Sequence, residues 1–575
     1  MRSSEQRLYH HLRNKVTPLQ LTKVLGEEVA EALVSYYRFQ ADESFEFNSA
    51  QTLVEALGNT AFTNKSFVDH LILDWLDTPE IEALLKNLNF ADSSPTFSNK
   101  KKITTSSTRK LAENLINTLE LDNEFFQTKK KEPKTLVSNE IVFPFNPIDS
   151  EDTKIEIPKA FLSLHPFQKR VKDITTSMLL GEDQRLMIHM PTGSGKTKTC
   201  IESIIDILRT AHSSEGFIVW FAHSKELCEQ AYETLREMWM FRGDEALPFY
   251  KVFGDTKLDM EILNKERAVL FIGFDKFNSI LRSSKENELK FRTKVANRSR
   301  LVIVDEAHKS MAPTYKNAID YCTRNFHNCK LIGLTATPGR TNENSEENVF
   351  LSEYFGNNLI RIKDFHGVIQ ENPIPYLQQE RVLANIESEV LEFDLTASIT
   401  HSGSSETLQD KDLKKVSNAA VIDPHRNSQL IDKIKICLEH PNKDSILIFA
   451  ASTEHCTIIK MILQREGIES KVILGSTDKA ERERAIADFK NQTLKVLINF
   501  SVLTTGFDAP KLKTLIIARP IHSKILGSQI IGRALRGPKN GGNENNSIIV
   551  LKDNIIGFEP NFLFNYWVEF WGREI

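Results

Sequence analysis

The chain has 575 residues, 40% hydrophobic and 26% charged, which excludes a fibrous or disordered polymer and predicts roughly four globular units at about 150 residues each. A formal net charge of -4 excludes a uniformly basic nucleic-acid coat, while leaving room for a local positive channel. The six cysteines, Cys200, Cys228, Cys322, Cys329, Cys437 and Cys456, form no CxxC pair, which argues against a disulfide framework or a zinc or iron–sulfur site and for a reducing, cytoplasmic setting. No apolar run reaches the ~18 residues of a membrane helix, and Met1-Arg2-Ser3-Ser4-Glu5 opens no apolar leader, so neither membrane nor export is expected.

Taken in chain order, residues 6 to 92 show helical periodicity, as in Leu21, Val24, Leu25, Val29, Leu33, Val34 and again Val68, Leu71, Ile72, Trp75, Leu76. A helical accessory domain is expected over 1–91. From Asp92 the composition shifts to Ser, Thr, Asn and Lys, with Lys100-Lys101-Lys102 and Lys129-Lys130-Lys131 on either side of a short apolar helix around Leu111 to Leu121. Residues 92–135 therefore read as a basic linker, a solvated tether in preference to a phosphate-contacting arm.

After Pro158, apolar strands alternate with helical segments: Leu186-Met187-Ile188, then 217–221, 269–272, 301–304 and 331–334. Continuous apolar strands of this kind belong to a parallel sheet covered on both faces. A second series follows at 445–450, 471–474, 495–499 and 514–518. The expected fold class is α/β, with two tandem parallel-sheet lobes, 136–345 and 346–575, behind the helical N-terminal domain.

The first strand runs into Met190-Pro191-Thr192-Gly193-Ser194-Gly195-Lys196-Thr197 and then a helical segment. In this strand, loop and helix order the glycines let backbone N–H groups approach phosphates, Lys196 reaches the β and γ phosphates, and the Thr197 hydroxyl ligates Mg²⁺. Thr192, Gly193, Ser194, Gly195, Lys196 and Thr197 are the expected ATP cradle. The strand 301–304 delivers Asp305-Glu306-Ala307-His308 at its C-terminal end, where ligands of open α/β sheets bind. Asp305 is placed to hold the Mg²⁺ and Glu306 to orient the attacking water.

With Gly333-Leu334-Thr335-Ala336-Thr337-Pro338 and the run Gln529-Ile530-Ile531-Gly532-Arg533-Ala534-Leu535-Arg536, these segments resemble the superfamily 2 helicases of the DEAH-box type, in the same order along the chain. The resemblance implies two RecA-like lobes that close on one ATP. It implies that Gln168, in Leu164-His165-Pro166-Phe167-Gln168, reads the adenine edge, although His165 stands where an arginine is frequent. Ala222-His223-Ser224-Lys225-Glu226-Leu227 and Gly273-Phe274-Asp275-Lys276 match positions that contact the nucleic-acid backbone. Phe449-Ala450-Ala451-Ser452 follows a strand of the second lobe.

In Asn499 to Pro510, Thr504 or Thr505 would touch the sugar-phosphate backbone and Gly506 and Asp508 would face the nucleotide. Gln529, Arg533 and Arg536 are carried over as catalytic residues, the two arginines sharing a helix face at i and i+3 as fingers on the γ-phosphate. Ile530 stands where relatives often have arginine. Glu353-Tyr354-Phe355-Gly356 and Ile374-Pro375-Tyr376-Leu377 further resemble the branch containing type III restriction subunits and bacterial repair helicases.

The resemblance covers about Leu164 to Arg536. The aromatic tail, with Phe562, Phe564, Tyr566, Trp567, Phe570 and Trp571, reads as packing against the second lobe, and nothing after Arg536 is long enough for a nuclease domain. The expectation is an ATP- and Mg²⁺-dependent translocase or helicase acting on nucleic acid, DNA before RNA, in restriction, repair or antiviral defence. The N-terminal domain would adapt it to a protein partner. The competing expectation is an ATP-gated clamp that binds nucleic acid without stepping.

Overall fold

The computed structural model describes residues 3–40, 47–89, 94–104, 108–121, 163–210, 215–324, 329–339, 346–393, 418–440, 445–504, 506–507, 509–521, 524–553 and 573–574. They fall into two compact units. Among the described residues no helix is long and apolar enough to cross a membrane.

The first unit is helical, and its helix starts are written locally in the sequence. Thr17 caps Pro18–Leu25 in a reciprocal box with Gln20, and Pro18 supplies a fixed φ at the first turn. Asn48 and Asn64 accept the N–H groups of Gln51 and Phe67, each at 2.9 Å, to open Ser49–Leu57 and Lys65–His70. The backbone of Asp77 donates to Glu80 at 2.7 Å to open Thr78–Asn87. Their apolar faces meet in one core that includes Leu53, Phe67, Ile72, Trp75 and Leu84.

That core also takes Ile103, Leu111, Leu115, Ile116 and Leu119, from the helices Phe97–Thr104 and Thr108–Thr118. The first of these helices stands in the stretch that composition assigns to a tether. Lys101 and Lys102 are exposed, Lys100 is half-buried and donates to Leu73 O at 3.2 Å, and Ile103 is fully buried, so apolar spacing decides the fold there and lysine content does not. The rest of the expected linker, including Lys129-Lys130-Lys131, lies outside the described residues.

Residues 417–435 and 451–472 cluster with this unit. Arg465, at the end of the helix Thr453–Arg465, sets its guanidinium 4.0 Å from the ring centroid of Tyr37 and its Nε 3.3 Å from Glu55 Oε2. That oxygen is buried and accepts no hydrogen bond, so the guanidinium is its counter-charge. Gln40 donates to Ser428 at 2.6 Å, and burial raises the hydroxyl pKa of Tyr36 and of Tyr37.

The second unit holds two parallel sheets. The first has the order β14-β7-β1-β6-β5-β2-β4-β3, with β1 Arg185–His189, β2 Gly216–Ala222, β3 Phe249–Val252, β4 Arg267–Gly273, β5 Ser299–Asp305, β6 Lys330–Thr335, β7 Asn358–Ile360 and β14 Arg573–Glu574. Its central strands are buried along their length, which is why they read as unbroken apolar runs. In the second sheet five strands of this unit run in the order β11-β9-β12-β13-β8, being β8 Asn385–Phe393, β9 Ile446–Ala450, β11 Val496–Asn499, β12 Thr514–Ala518 and β13 Asn545–Asp553. Strand β10, Ser470–Ile473, spans the boundary between the two units.

These are two tandem RecA-like lobes with a helical N-terminal region. In the first, β6 lies between β1 and β5, with His189 opposite Thr335 and Asp305 opposite Leu334. Three neighbouring strands therefore end together, and the loops that follow them converge. The aromatic tail lies outside the described residues.

Arg465→Ala leaves Glu55 without its counter-charge and Tyr37 without its cation, and should cost the helical unit about 1–3 kcal/mol. Urea unfolding of the full chain, followed by near-ultraviolet circular dichroism, should show a lower midpoint. An unchanged midpoint would mean the ion pair holds nothing.

Candidate nucleotide-binding and catalytic site

Strand β1 ends at His189, and the loop Met190 to Gly195 turns over its end. Gly193 and Gly195 both have positive φ, +83° and +87°, a conformation that L side chains rarely adopt. A Cβ on Gly195 would also stand 2.3 Å from Gln168 Nε2. The loop is braced from inside by Ser194, whose Oγ donates to Pro191 O at 2.6 Å, and Lys196 folds back to donate to the same carbonyl at 3.3 Å. The helix Lys196–Thr210 starts there, so its first N–H groups face the loop's concavity.

Gln168 is the third residue of the helix Pro166–Leu180, buried, with Nε2 donating to Ser194 O at 2.7 Å and Oε1 accepting from His165 N at 2.9 Å. One of the amide's two donors thus holds the phosphate loop, and one of its acceptor sites caps its own helix.

Asp305 ends β5 and Glu306 follows it. Burial, then the charge of Glu306, pushes the Asp305 carboxyl up to about 7. Glu306 goes the other way: burial opposes its ionisation, but His308, Lys196, His223 and Lys309 outweigh it and hold the carboxyl below its ordinary value. Of this coupled pair Asp305 is the member that retains a proton. Burial lowers the Lys196 ammonium, while Glu306 and Asp305 act to keep it charged.

Glu306 itself has left-handed backbone angles, φ 53° and ψ 50°, a strained setting for a side-chain-bearing residue. Its Oε2 is buried and accepts no hydrogen bond. His308 is buried, with Nδ1 3.2 Å from Thr335 Oγ1, 3.4 Å from Thr337 Oγ1 and 3.4 Å from Glu306 Oε2. His308 therefore joins the end of β5 to the segment after β6.

The second lobe reaches the same place. The helix Lys524–Ile531 ends before the two arginines, so Arg533 and Arg536 do not share a helix face as the i, i+3 spacing predicts. Gly532 closes the helix, and a Cβ there would lie 2.5 Å from Thr192 Cβ. Arg533 and Ala534 follow in a turn, with N–H groups donating to Ile530 O and Ile531 O, and Arg536 then bridges to Leu383 while Ala384 N donates to Leu535 O at 2.8 Å. Arg533 is anchored on Gln529 O at 3.2 Å and on Phe507 O.

Both arginines nevertheless line one cavity of about 430 Å³ with Gln168, Thr192, Gly193, Gly195, Lys196, Thr197, Asp305, Glu306 and Gly506. Ser194 lies under the loop. Gln529 does not line the cavity; it is buried behind it, with Nε2 unpartnered among the described residues. Asp508 and Thr505 lie outside the described residues. Asn540 is a residue that motif reading misses. Its Nδ2 donates to Gly193 O at 3.1 Å and its Oδ1 lies 3.1 Å from His165 Nε2. Its only sequence signal is the turn-like Pro538-Lys539-Asn540-Gly541.

The chemistry of this arrangement is legible without a ligand. Three cations, a loop of backbone N–H groups and two acids, Asp305 and Glu306, line a space of triphosphate size.

Residues 161–340 match the family described as type III restriction enzyme, res subunit, and residues 427–538 match the helicase conserved C-terminal domain. A Schizosaccharomyces pombe protein named as the mitochondrial ATP-dependent helicase irc3 is 25% identical over 378 residues, 65% of this chain and 55% of its own. The Saccharomyces cerevisiae protein named as ATP-dependent helicase IRC3 is 23% identical over 65% of this chain and 49% of its own. The type I restriction enzyme EcoKI endonuclease subunit of Escherichia coli is 22% identical over 65% of this chain and 33% of its own. The chain spans about half the length of the first two relatives. With its ordered motifs and its two parallel-sheet lobes, the chain is similar to superfamily 2 helicases, its first lobe matching the res-subunit family and its second the helicase C-terminal domain.

Proposed function

We propose that the protein is an ATP-dependent helicase or translocase of nucleic acid, with DNA favoured over RNA through its likeness to restriction subunits. The observation that carries this reading is that Arg533 and Arg536 of the second lobe line the same cavity as Lys196 and Glu306 of the first. A nucleotide filling it touches both lobes, so its hydrolysis changes what holds them together.

In this reading the phosphates lie on the N–H groups of residues 193–197, with Lys196 on the β and γ positions. Gln168 keeps the loop in place through Ser194, and its remaining amide hydrogen and lone pair serve the adenine edge. Glu306 orients the attacking water with the oxygen that accepts no other bond, and the two arginines stabilise charge developing on the γ-phosphate. Loss of that phosphate releases the arginines, the lobes part, and the grip on the strand alternates.

Thr197 and Asp305 are the residues that would hold Mg²⁺. They fit it, because Asp305 is a buried carboxyl raised to about 7, which a divalent cation returns to its anionic form. The ion would neutralise phosphate charge. Asp508 would face the nucleotide with Gly506, and Gln529 would support Arg533 through the carbonyl that anchors it. Every residue that lines the cavity belongs to the second unit; the part of the helical unit is to dock a protein partner in restriction, repair or antiviral defence.

Glu306→Gln should lower ATP turnover by roughly 10²- to 10⁴-fold while ATP binding, read by a fluorescent analogue, is retained. Turnover within twofold of wild type would remove the water-orienting role. Arg536→Ala should bind DNA as wild type does but lose the DNA-stimulated part of turnover, by up to about 10³-fold; weakened DNA binding with intact turnover would move Arg536 to the strand channel. DNA affinity should also fall steeply with salt, with a log-log slope of about -0.7 to -0.9 per phosphate neutralised, and a salt-independent affinity would refute backbone tracking.

A further inference from the structure

We infer that Lys309, anchored by His223, is a positioning residue for Glu306, and that the pair transmits the state of the segment after β2 to the catalytic carboxylate. The inference rests on the helicase reading, in which Ala222-His223-Ser224-Lys225 lies along the nucleic-acid backbone.

Lys309 Nζ stands 3.2 Å from His223 Nε2. An ammonium has only hydrogens to offer, so it donates and the imidazole nitrogen accepts, which places the ring proton on Nδ1. The ring is neutral, as its surroundings require: burial, then Lys309, pushes its pKa down to about 4, against the smaller pulls of Glu306, Glu226 and Asp275. His223 therefore serves as a fixed acceptor.

At its other end Lys309 is tied to Glu306 by the main chain. Glu306 caps the tight turn Ala307–Lys309, and Lys309 N donates to Glu306 O at 3.0 Å. Ala312 N in turn donates to Lys309 O at 3.0 Å. A movement of His223 thus pulls, through one side-chain bond, on a turn whose first residue is Glu306 in a strained left-handed conformation.

The carboxylate is receptive to such a pull. Its Oε2 accepts no hydrogen bond, so charge rather than a directional bond fixes it, and Lys309 is one of the cations acting on it. His223 belongs to the strand end that continues into the helix Lys225–Arg242, with Ser224 as its cap. Strand contact at that cap and water orientation at Glu306 are then linked through two side chains.

The test is steady-state ATP turnover of the full chain with and without single-stranded DNA, for Lys309→Met, His223→Ala, the double variant and Lys309→Arg. Lys309→Met and His223→Ala should each lower DNA-stimulated kcat by about tenfold with KM for ATP within about twofold of wild type. The double variant should be no worse than the poorer single one, because both remove one link. Lys309→Arg, which keeps the cation and can reach the imidazole, should restore most of the stimulation. Full stimulation of Lys309→Met, or losses that multiply in the double variant, would overturn the inference. A wild-type chain indifferent to DNA would instead overturn the helicase reading beneath it.

Discussion

Two neighbouring carboxylates brought out of water at the end of one strand repel each other by several kcal/mol when both are charged, and the first lobe is built around that repulsion. Asp305 rises to about 7, while Glu306 is held ionised by His308, Lys196, His223 and Lys309. Three segments of this lobe supply the groups around Glu306. The phosphate loop gives Lys196, the turn after β5 gives His308 and Lys309, and the end of β2 gives the neutral His223 that accepts from Lys309. The sheet order brings β1 and β5 to either side of β6, so residues more than 100 positions apart meet over one acid pair.

The second lobe completes this site through close approach rather than through charge alone. Gly532 leaves no room for a side chain against Thr192, and Asn540 donates to the carbonyl of Gly193. The backbone bridge between Leu383 and Arg536 fixes where the last arginine leaves the lobe. The first two contacts fall on the phosphate loop itself, so a change in what the loop holds is felt at once by the opposite lobe.

Much of this was legible in the sequence because it depends on local backbone. Strand, glycine loop and helix at 186–208 need no distant partner, and the apolar runs of β1, β2, β4, β5 and β6 reflect burial on both faces. Strand β8, Asn-Ile-Glu-Ser-Glu-Val-Leu-Glu-Phe, was not legible as a strand: it is a largely exposed edge carrying Glu387, Glu389 and Glu392, as edges that avoid further pairing are charged. The helix at Phe97–Thr104 was hidden by its three lysines, since a single buried Ile103 does not reveal a periodicity. The two arginines were placed on one helix because their spacing allows it, whereas Gly532 ends that helix first. Asn540 and the Arg465–Glu55 pair join residues far apart in sequence, and no local pattern marks such partners.

The account turns on whether ATP hydrolysis between the lobes is converted into movement along a strand. The direct measurement is release of a labelled strand, followed in time, from forked duplex DNA and from a duplex bearing a third strand, in the presence of ATP or a non-hydrolysable analogue. The account predicts release from at least one of these substrates with ATP, and none with the analogue although the protein stays bound. Sustained ATP turnover on bound DNA with no strand released from either substrate would contradict it and leave an ATP-gated clamp.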